Sequence, residues 1–593
     1  MRGRLDPPEV LPFDKGERMR TIGHLGRLFL QIWRTSPWLT GLSLGLRLSS
    51  AVLPPLMLFF TKLIIDEVTR QVKLGSPGPD FAAWWDGGRL DAIGLILLGS
   101  FALVLLNDLL HRGISVVDQI LGESHSNRVS VELMEHTARL DLRHLEQADY
   151  QDRLERARRQ ASNRSTVLSQ IFNQGQSLVT VMALAAGLFV YAPLLIPLLA
   201  ISLGPAVWGE LRFNRLAYWL SHNRSPERRQ LEYLRQLGAS AENAKEVKLF
   251  GLGRFLTGRF ETLSAQILAE NSRMAIRRSG WAAALSAVST ATYYAAFAYI
   301  VWRTLHGEFT IGDLVFLSGS FGSLNSYLQQ ILIGFTQIAG QSLYLDDLFS
   351  FFEIEPTVLD PANPKPFPVP LREGIVFDNV GFRYPGSDQW ALRGLSFTIP
   401  AGRTLALVGE NGAGKTTVVK LLTRLYDPDE GRILVDGIDL KDFSSDDLRR
   451  HIGVIFQDFL RYSFTAAENV GVGRVDAAAD RPRIETAAER SLADTAIRRL
   501  PQGYDQMLGR VFAGGQDLSG GEWQKVALAR AYMREAEVVI LDEPTAALDA
   551  RAEAEVFTRF KGLAAGTTAV LISHRFSTVR MADRIVVIEA GKV

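Results

Sequence analysis

The sequence contains no cysteine. Disulfide bridges, cysteine-ligated zinc and thiol nucleophiles are therefore excluded. An excess of charge of one sign is also missing: 65 Lys and Arg stand against 64 Asp and Glu, for a net charge of +1. Without a broad basic surplus there is no electrostatic footprint of a nucleic-acid partner. Residues 1–20, MRGRLDPPEVLPFDKGERMR, lack the short apolar core and small-residue cleavage site of a secretory signal, so membrane insertion is expected to rest on later segments. The chain also has no internal repeat and no long low-complexity stretch.

What is present divides into unlike halves. At 593 residues at least two domains are expected. The mean hydropathy of +0.06 averages an apolar N-terminal half and a C-terminal half that reads as a soluble α/β domain. A helix needs about 20 mainly apolar residues to cross a bilayer. Six candidates meet this, near 38–64, 92–118, 167–191, 193–212, 281–303 and 312–339. Between them, about 119–165 and 213–278 are charged, arginine-rich and helix-like, whereas the connections on the other side carry few cations. The positive-inside rule places the basic stretches and both termini in the cytoplasm, and an even number of spans agrees with that. Acidic residues mixed into these stretches mark solvated helices rather than lipid- or nucleic-acid-binding patches. Pro356, Pro361, Pro364, Pro366, Pro368 and Pro370 then crowd a segment that cannot continue a helix. The expected domains are a cytoplasmic N-terminal segment (1–37), a six-helix transmembrane domain (38–345), a linker (346–373) and an α/β phosphate-loop domain (374–593), whose alternating strands and helices suggest a largely parallel sheet.

Two motifs in the last domain carry chemistry. In TLALVGENGAGKTTVVKLL, a strand leads through a glycine-rich loop into a helix. Gly409, Gly414, Lys415 and Thr416 fit the pattern G-x-x-x-x-G-K-[ST], in which backbone N–H groups and the positive end of the helix cradle phosphates. The loop comprises Gly409, Glu410, Asn411, Gly412, Ala413, Gly414, Lys415, Thr416 and Thr417. Lys415 is expected to reach the β- and γ-phosphates and Thr416 to ligate Mg²⁺. In VVILDEPTAALD, apolar Val538 to Leu541 form a strand ending on Asp542 and Glu543. Asp542 is placed to bind Mg²⁺, directly or through water, and Glu543 to take a proton from the attacking water. Taken alone, such an acidic pair is commonly just the solvated end of a strand.

Leu518-Ser519-Gly520-Gly521-Glu522 resembles the signature of ATP-binding-cassette proteins. In that family's order follow Tyr384 in FRYPG, the phosphate loop, Gln457 in VIFQD, the signature, Asp542-Glu543, Asp549 in AALD and His574 in LISHR. The resemblance covers about 375–593 and implies roles. Tyr384 stacks on adenine. Gln457 senses Mg²⁺ and the attacking water and links to the membrane domain. His574 contacts the γ-phosphate, and Asp549 communicates across a dimer. Ser519, Gly520 and Gly521 form an anion site for the γ-phosphate held by a second copy. One chain supplies one of each part, so a dimer is expected, a homodimer in preference to a heterodimer.

Six spans, two cytoplasmic extensions and a C-terminal cassette together resemble an exporter-type half-transporter. That implies coupling helices near Glu146–Gln151 and Glu242–Lys248, and a cross-talk loop at Gly509 to Gln516. The loop LGRVFAGGQ, with GGEWQKVALARA and AENAKEVKLFG, is similar to exporters of ribosomally made peptides such as lantibiotics and lasso-type microcins. The implied function is ATP-driven export of a peptide or amphipathic compound across the cytoplasmic membrane. The alternatives are a multidrug or lipid flippase of the same fold and, remotely, a non-transport cassette ATPase. Candidate cargo-cavity residues are Arg47, Asn107, Asp108, Tyr293, Tyr294, Asn325, Tyr327, Gln329 and Gln330, with Arg47 and Asp108 as a suggested pair; for the uncharged ones, packing between helices is an equal alternative. The chain stops at Val593, earlier than members of that family usually do, by a short tail or a cut.

Overall fold

A computed structural model describes residues 26–75, 84–85, 88–162, 165–202, 204–205, 209, 225–241, 243–543, 558–573 and 579–593. The chain divides into two units. One comprises Met1–His136 and Arg153–Glu353, the other Thr137–Asp152 and Ile354–Val593.

The first unit is helical. Its long helices are α1 (Pro37–Lys73), α2 (Asp91–Arg139), α3 (Ser165–Tyr191), α4 (Gly253–Leu305) and α5 (Ile311–Phe352). Helix α1 starts where the Ser36 side chain accepts the Leu39 N–H and Pro37 supplies a preset φ. Helix α5 starts on a capping box between Thr310 and Asp313. Among the described residues, α1 to α4 are long and apolar enough to cross a membrane. The expected sixth span falls on α5, which forms as a helix. Its apolar run is broken by Asp313, Ser318, Ser320, Asn325, Gln329, Gln330 and Gln337, and it falls short of that apolar standard. The expected fourth span is helical at 195–202 and otherwise lies largely outside the described residues.

The expected spans and the charged extensions that follow or precede them are continuous helices: α2 runs through 49 residues and α4 through 53. At 1.5 Å per residue each is about 75 Å long, more than twice the roughly 30 Å of a hydrocarbon core. Helix α5 also continues to Phe352, past the expected domain edge at 345. The unit's largest core packs Leu184 and Leu188 of α3 against Ile300 of α4 and Leu317 and Phe321 of α5.

The second unit has two sheets. Strands β3 (Thr404–Val408), β6 (Ile452–Ile455), β7 (Val538–Asp542), β8 (Thr568–Ile572) and β9 (Arg584–Val587) form a parallel sheet in the order β6-β7-β8-β3-β9. Strands β1 (Gly374–Arg383), β2 (Trp390–Pro400), β4 (Glu430–Val435) and β5 (Ile438–Asp439) form a separate antiparallel sheet. The expectation of a largely parallel sheet therefore holds for the centre only. The six residues between β1 and β2 are too few for a parallel crossover, so that pair closes as a hairpin. Helix α6 (Lys415–Leu422) follows β3, and helix α7 (Gly520–Arg534) belongs to a helical layer centred on buried Trp523.

Residues 137–152, where the first coupling helix is expected, group with this second unit. Asp141 accepts hydrogen bonds from the Thr357 N–H and hydroxyl and from the Val358 N–H. At the second expected coupling site, a short exposed helix spans Ala244–Leu249, while Glu242 lies outside the described residues.

Candidate active site

The phosphate loop occupies the turn from β3 into α6. Two of its three glycines leave no room for a side chain. A Cβ on Gly409 would lie 2.2 Å from the Ile588 carbonyl oxygen, and one on Gly414, at φ +106°, would lie 2.6 Å from Leu392 Cδ2. Gly412, at φ +85°, faces open space. The Lys415 ammonium donates to the carbonyls of Gly409 at 2.8 Å and Glu410 at 2.9 Å, and the Ala413 N–H to Glu410 O at 3.1 Å. Lys415 is thus poised over the turn it belongs to.

Strand β7 delivers the acids. Asp542 is 4 % exposed, and its Oδ2 accepts the Thr416 hydroxyl at 3.3 Å. Burial, with the neighbouring Glu543 charge, pushes the Asp542 carboxyl up to about 6, against the Thr416 hydrogen bond. Glu543 turns the chain at φ +45°, a left-handed conformation unusual for a side chain, and its N–H bonds Ile572 O of β8 at 3.0 Å. That turn swings Glu543 into the cleft while Asp542 stays behind Thr416.

The cleft itself holds about 640 Å³ and is lined by Tyr384, Asn411, Gly412, Gly414, Lys415, Thr416, Thr417, Gln457 and Glu543. The Tyr384 hydroxyl bonds Thr417 Oγ1 at 3.0 Å. Open space over Gly412, an exposed hydroxyl on a buried carboxylate and a loop of N–H groups fit a nucleoside triphosphate with a hard divalent cation. Sequence reasoning missed Ser387, Gln389, Trp390 and Ala391 on the same wall. Trp390 stands 4.5 Å from the Arg383 guanidinium and 5.4 Å from that of Arg393. The signal for it was its place directly across the hairpin from Arg383, next to Tyr384.

The signature residues are not part of this cleft. Ser519 caps α7 in a reciprocal box: its hydroxyl donates to Glu522 Oε2 at 2.7 Å and accepts the Glu522 N–H at 3.4 Å. Ser519 and Gly520 are exposed. Burial acts to raise the Glu522 carboxyl, but the hydrogen bonds from Ser519 win and hold it below its usual range. His574 and Asp549 lie outside the described residues. The loop expected to mediate cross-talk is pinched shut by the Gly509 N–H on Gln516 O at 2.9 Å, with Val511 and Phe512 exposed at its tip.

Within the helical unit, the suggested Arg47–Asp108 pair does not form. Buried Arg47 of α1 pairs with Asp118 of α2 and donates to Asn173 and Gln176 of α3, while Asp108 pairs with Arg112 at 2.7 Å. Asp108 lies ten residues from Asp118, which rotates it about 280° around the helix and off the α1-facing side. Of the other cavity candidates, Asn325 donates to Ser289 at 3.0 Å and Gln329 to Asn325 at 3.5 Å, bonds within the bundle.

Residues 392–546 match the family model for the ABC transporter ATPase domain. The subtilin transport ATP-binding protein SpaT of Bacillus subtilis is 29 % identical over 79 % of this chain and 76 % of its own length. The ATP-dependent lipid A-core flippase of Aromatoleum aromaticum is 34 % identical, over 58 % of this chain and about half, 56 %, of its own length. A solved bacterial Atm1-family ABC exporter with ATP bound superposes with a TM-score of 0.74 at 27 % identity, covering 92 % of this chain and 94 % of that one. The phosphate loop, the acids closing β7 and the long helices of the first unit thus have one common source: the chain is an ABC half-transporter of the exporter type, an ATP-hydrolysing cassette fused to a membrane domain.

Proposed function

We propose that the chain exports a peptide out across the cytoplasmic membrane, working as a homodimer with six spans per copy. The observation that carries the peptide reading is a face of side-chain amides on α3 and α5. Gln170 donates to Gln337 at 2.9 Å and Gln174 to the Gln330 carbonyl at 3.5 Å, both exposed, and exposed Asn173 sits beside them. Amides at membrane depth are costly against lipid, so this face needs water or cargo. Paired donors and acceptors without net charge suit a peptide backbone. The subtilin transporter's match over three quarters of its length supports the same cargo class.

The cassette's residues then divide the work. Lys415 leaves the Gly409 and Glu410 carbonyls for the β- and γ-phosphate oxygens, and Tyr384 stacks on adenine. Thr416, Asp542 and Gln457 would hold Mg²⁺, which supplies charge neutralisation on the phosphates. Glu543 takes the proton of the attacking water, and His574 contacts the γ-phosphate. Ser519, Gly520 and Gly521 of one copy close on the nucleotide of the other, so ATP binding favours the joined cassettes and shifts the membrane domain outward. Asp549 links the two sites.

The experiment is reconstitution with measurement of ATPase stimulation and ATP-dependent uptake into inverted vesicles, using a lantibiotic-like peptide and, separately, a lipid. Peptide uptake that Glu543→Gln abolishes, with ATP trapped, supports this reading. Stimulation by lipid alone moves the assignment to the flippase class, which the 34 % relative represents.

A further inference from the structure

In the segment at 141–152, one carboxylate reaches side chains that stand beside the nucleotide cleft. Glu146 Oε1 accepts the Lys420 ammonium at 2.7 Å, and its Oε2 accepts the Tyr426 hydroxyl at 2.6 Å. Lys420, on α6 just past the phosphate loop, lies 5.1 Å from the Tyr384 ring centroid and 5.8 Å from that of Tyr426. Tyr384 and Tyr426 meet edge to face at 5.9 Å, and Phe382 closes the cluster edge-on to both at 5.1 Å. The Tyr384 hydroxyl is fixed on Thr417. A continuous set of contacts therefore runs from Glu146 through a cation to Tyr384, an aromatic ring that lines the cleft beside the phosphate loop.

We propose that Glu146 is a positioning residue for adenine: by holding Lys420 over Tyr384, it sets the orientation and electron density of the ring on which the base stacks. This rests on the reading that Tyr384 stacks on adenine. A cation fixed against one aromatic ring constrains it and is attracted to its face. Glu146 and Tyr426 both lose a partner if the segment withdraws. Burial and the Glu146 carboxylate together push the Tyr426 phenol well above its ordinary range, so that its proton stays in place to bond Glu146. Because α2 leads directly into this segment, nucleotide affinity depends on where the cytoplasmic end of α2 sits. Binding linkage is reciprocal, so ATP in turn favours the arrangement in which Glu146 holds Lys420.

The test is ATPase kinetics of the full-length reconstituted protein carrying Glu146→Gln, Lys420→Met, Tyr384→Ala, or Glu146→Gln with Tyr384→Ala. Glu146→Gln and Lys420→Met are expected to raise KM for ATP about 3- to 10-fold with kcat within about twofold, a range that corresponds to an exposed cation–π contact or somewhat more. Glu146→Gln is expected to add nothing to Tyr384→Ala. The charge swap Glu146→Lys with Lys420→Glu separates positioning from a plain ion pair: it restores the pair but puts a carboxylate against the ring, so KM stays high. Recovery of wild-type KM by the swap overturns the proposal, and so does an unchanged KM in Glu146→Gln when Tyr384→Ala raises it. An unchanged KM in Tyr384→Ala overturns the stacking reading itself, and the proposal with it.

Discussion

The hydroxyl of Thr416 donates to Asp542 Oδ2 at 3.3 Å, joining the first turn of α6 to the end of β7. The carboxylate is buried, and Asp542 keeps its proton up to about pH 6. A divalent cation must displace that proton. The Mg²⁺ concentration for half-maximal ATPase is therefore expected to rise about tenfold per pH unit below pH 6. Asp542→Asn should abolish the Mg²⁺ dependence together with activity. For the metal-free cassette the sign is opposite to that of a paired surface carboxylate. Between about pH 4 and pH 6 the folded form holds a proton that the unfolded chain has lost, so this group's contribution to stability falls as pH rises through that window. Thermal unfolding in EDTA as a function of pH checks this.

The phosphate-loop glycines should separate by steric cause. Gly409→Ala and Gly414→Ala force contacts of 2.2 and 2.6 Å and should destabilise the cassette by about 1–3 kcal/mol as well as weaken nucleotide binding. Gly412→Ala meets no atom within 4 Å, so its stability loss should stay near the roughly 1 kcal/mol of a left-handed side chain while binding suffers. Calorimetry with and without nucleotide distinguishes the two patterns.

Ser519 offers a test of assembly between copies. Within one chain it does not line the cleft that holds Asn411. Because the protein has no cysteine, Asn411→Cys and Ser519→Cys can be introduced without background. On mild oxidation, ATP in a Glu543→Gln background should yield a covalent dimer. ATP-dependent protection with no covalent product would count against closure of the signature on a partner's nucleotide.

The buried pair of Arg47 and Asp118 should be costly to break and cheap to replace. Asp118→Ala strands the guanidinium among Ser43, Asn173 and Gln176 and should destabilise the membrane unit by about 3–5 kcal/mol. Arg47→Met with Asp118→Leu should recover most of that loss. Unfolding in detergent, followed by thiol-independent fluorescence, reads both.

Local constraints were legible in the sequence. The phosphate loop could be read because a strand, a helix and close backbone approach together require glycine at Gly409 and Gly414. The helices α1 to α4 could be read because about 20 apolar residues suffice to mark a span. Helix α5 reads as a span at 312–339 on the same signal, yet its polar positions, Asn325 to Gln337, hold it below the apolar standard that α1 to α4 meet. Long-range partners could not be read. Arg47 finds Asp118 rather than Asp108 because rotation around α2 decides which carboxylate faces α1. Glu146 meets Lys420 across 274 residues, a contact that no spacing announces. The antiparallel sheet hid behind β1 and β2, whose apolar runs read equally well in either direction.

The absence of any break in α2 has a mechanical consequence. A rod of about 75 Å that tilts by about 5° carries its far end some 6 Å sideways, one full turn of an α-helix. No proline interrupts its 49 residues, which leaves weaker points such as Gly99-Ser100 as the places where a kink could absorb that displacement. A helix without a break favours carrying motion along its length toward Arg139, only a few residues from Glu146 in sequence, and so behaves as a lever rather than a tether.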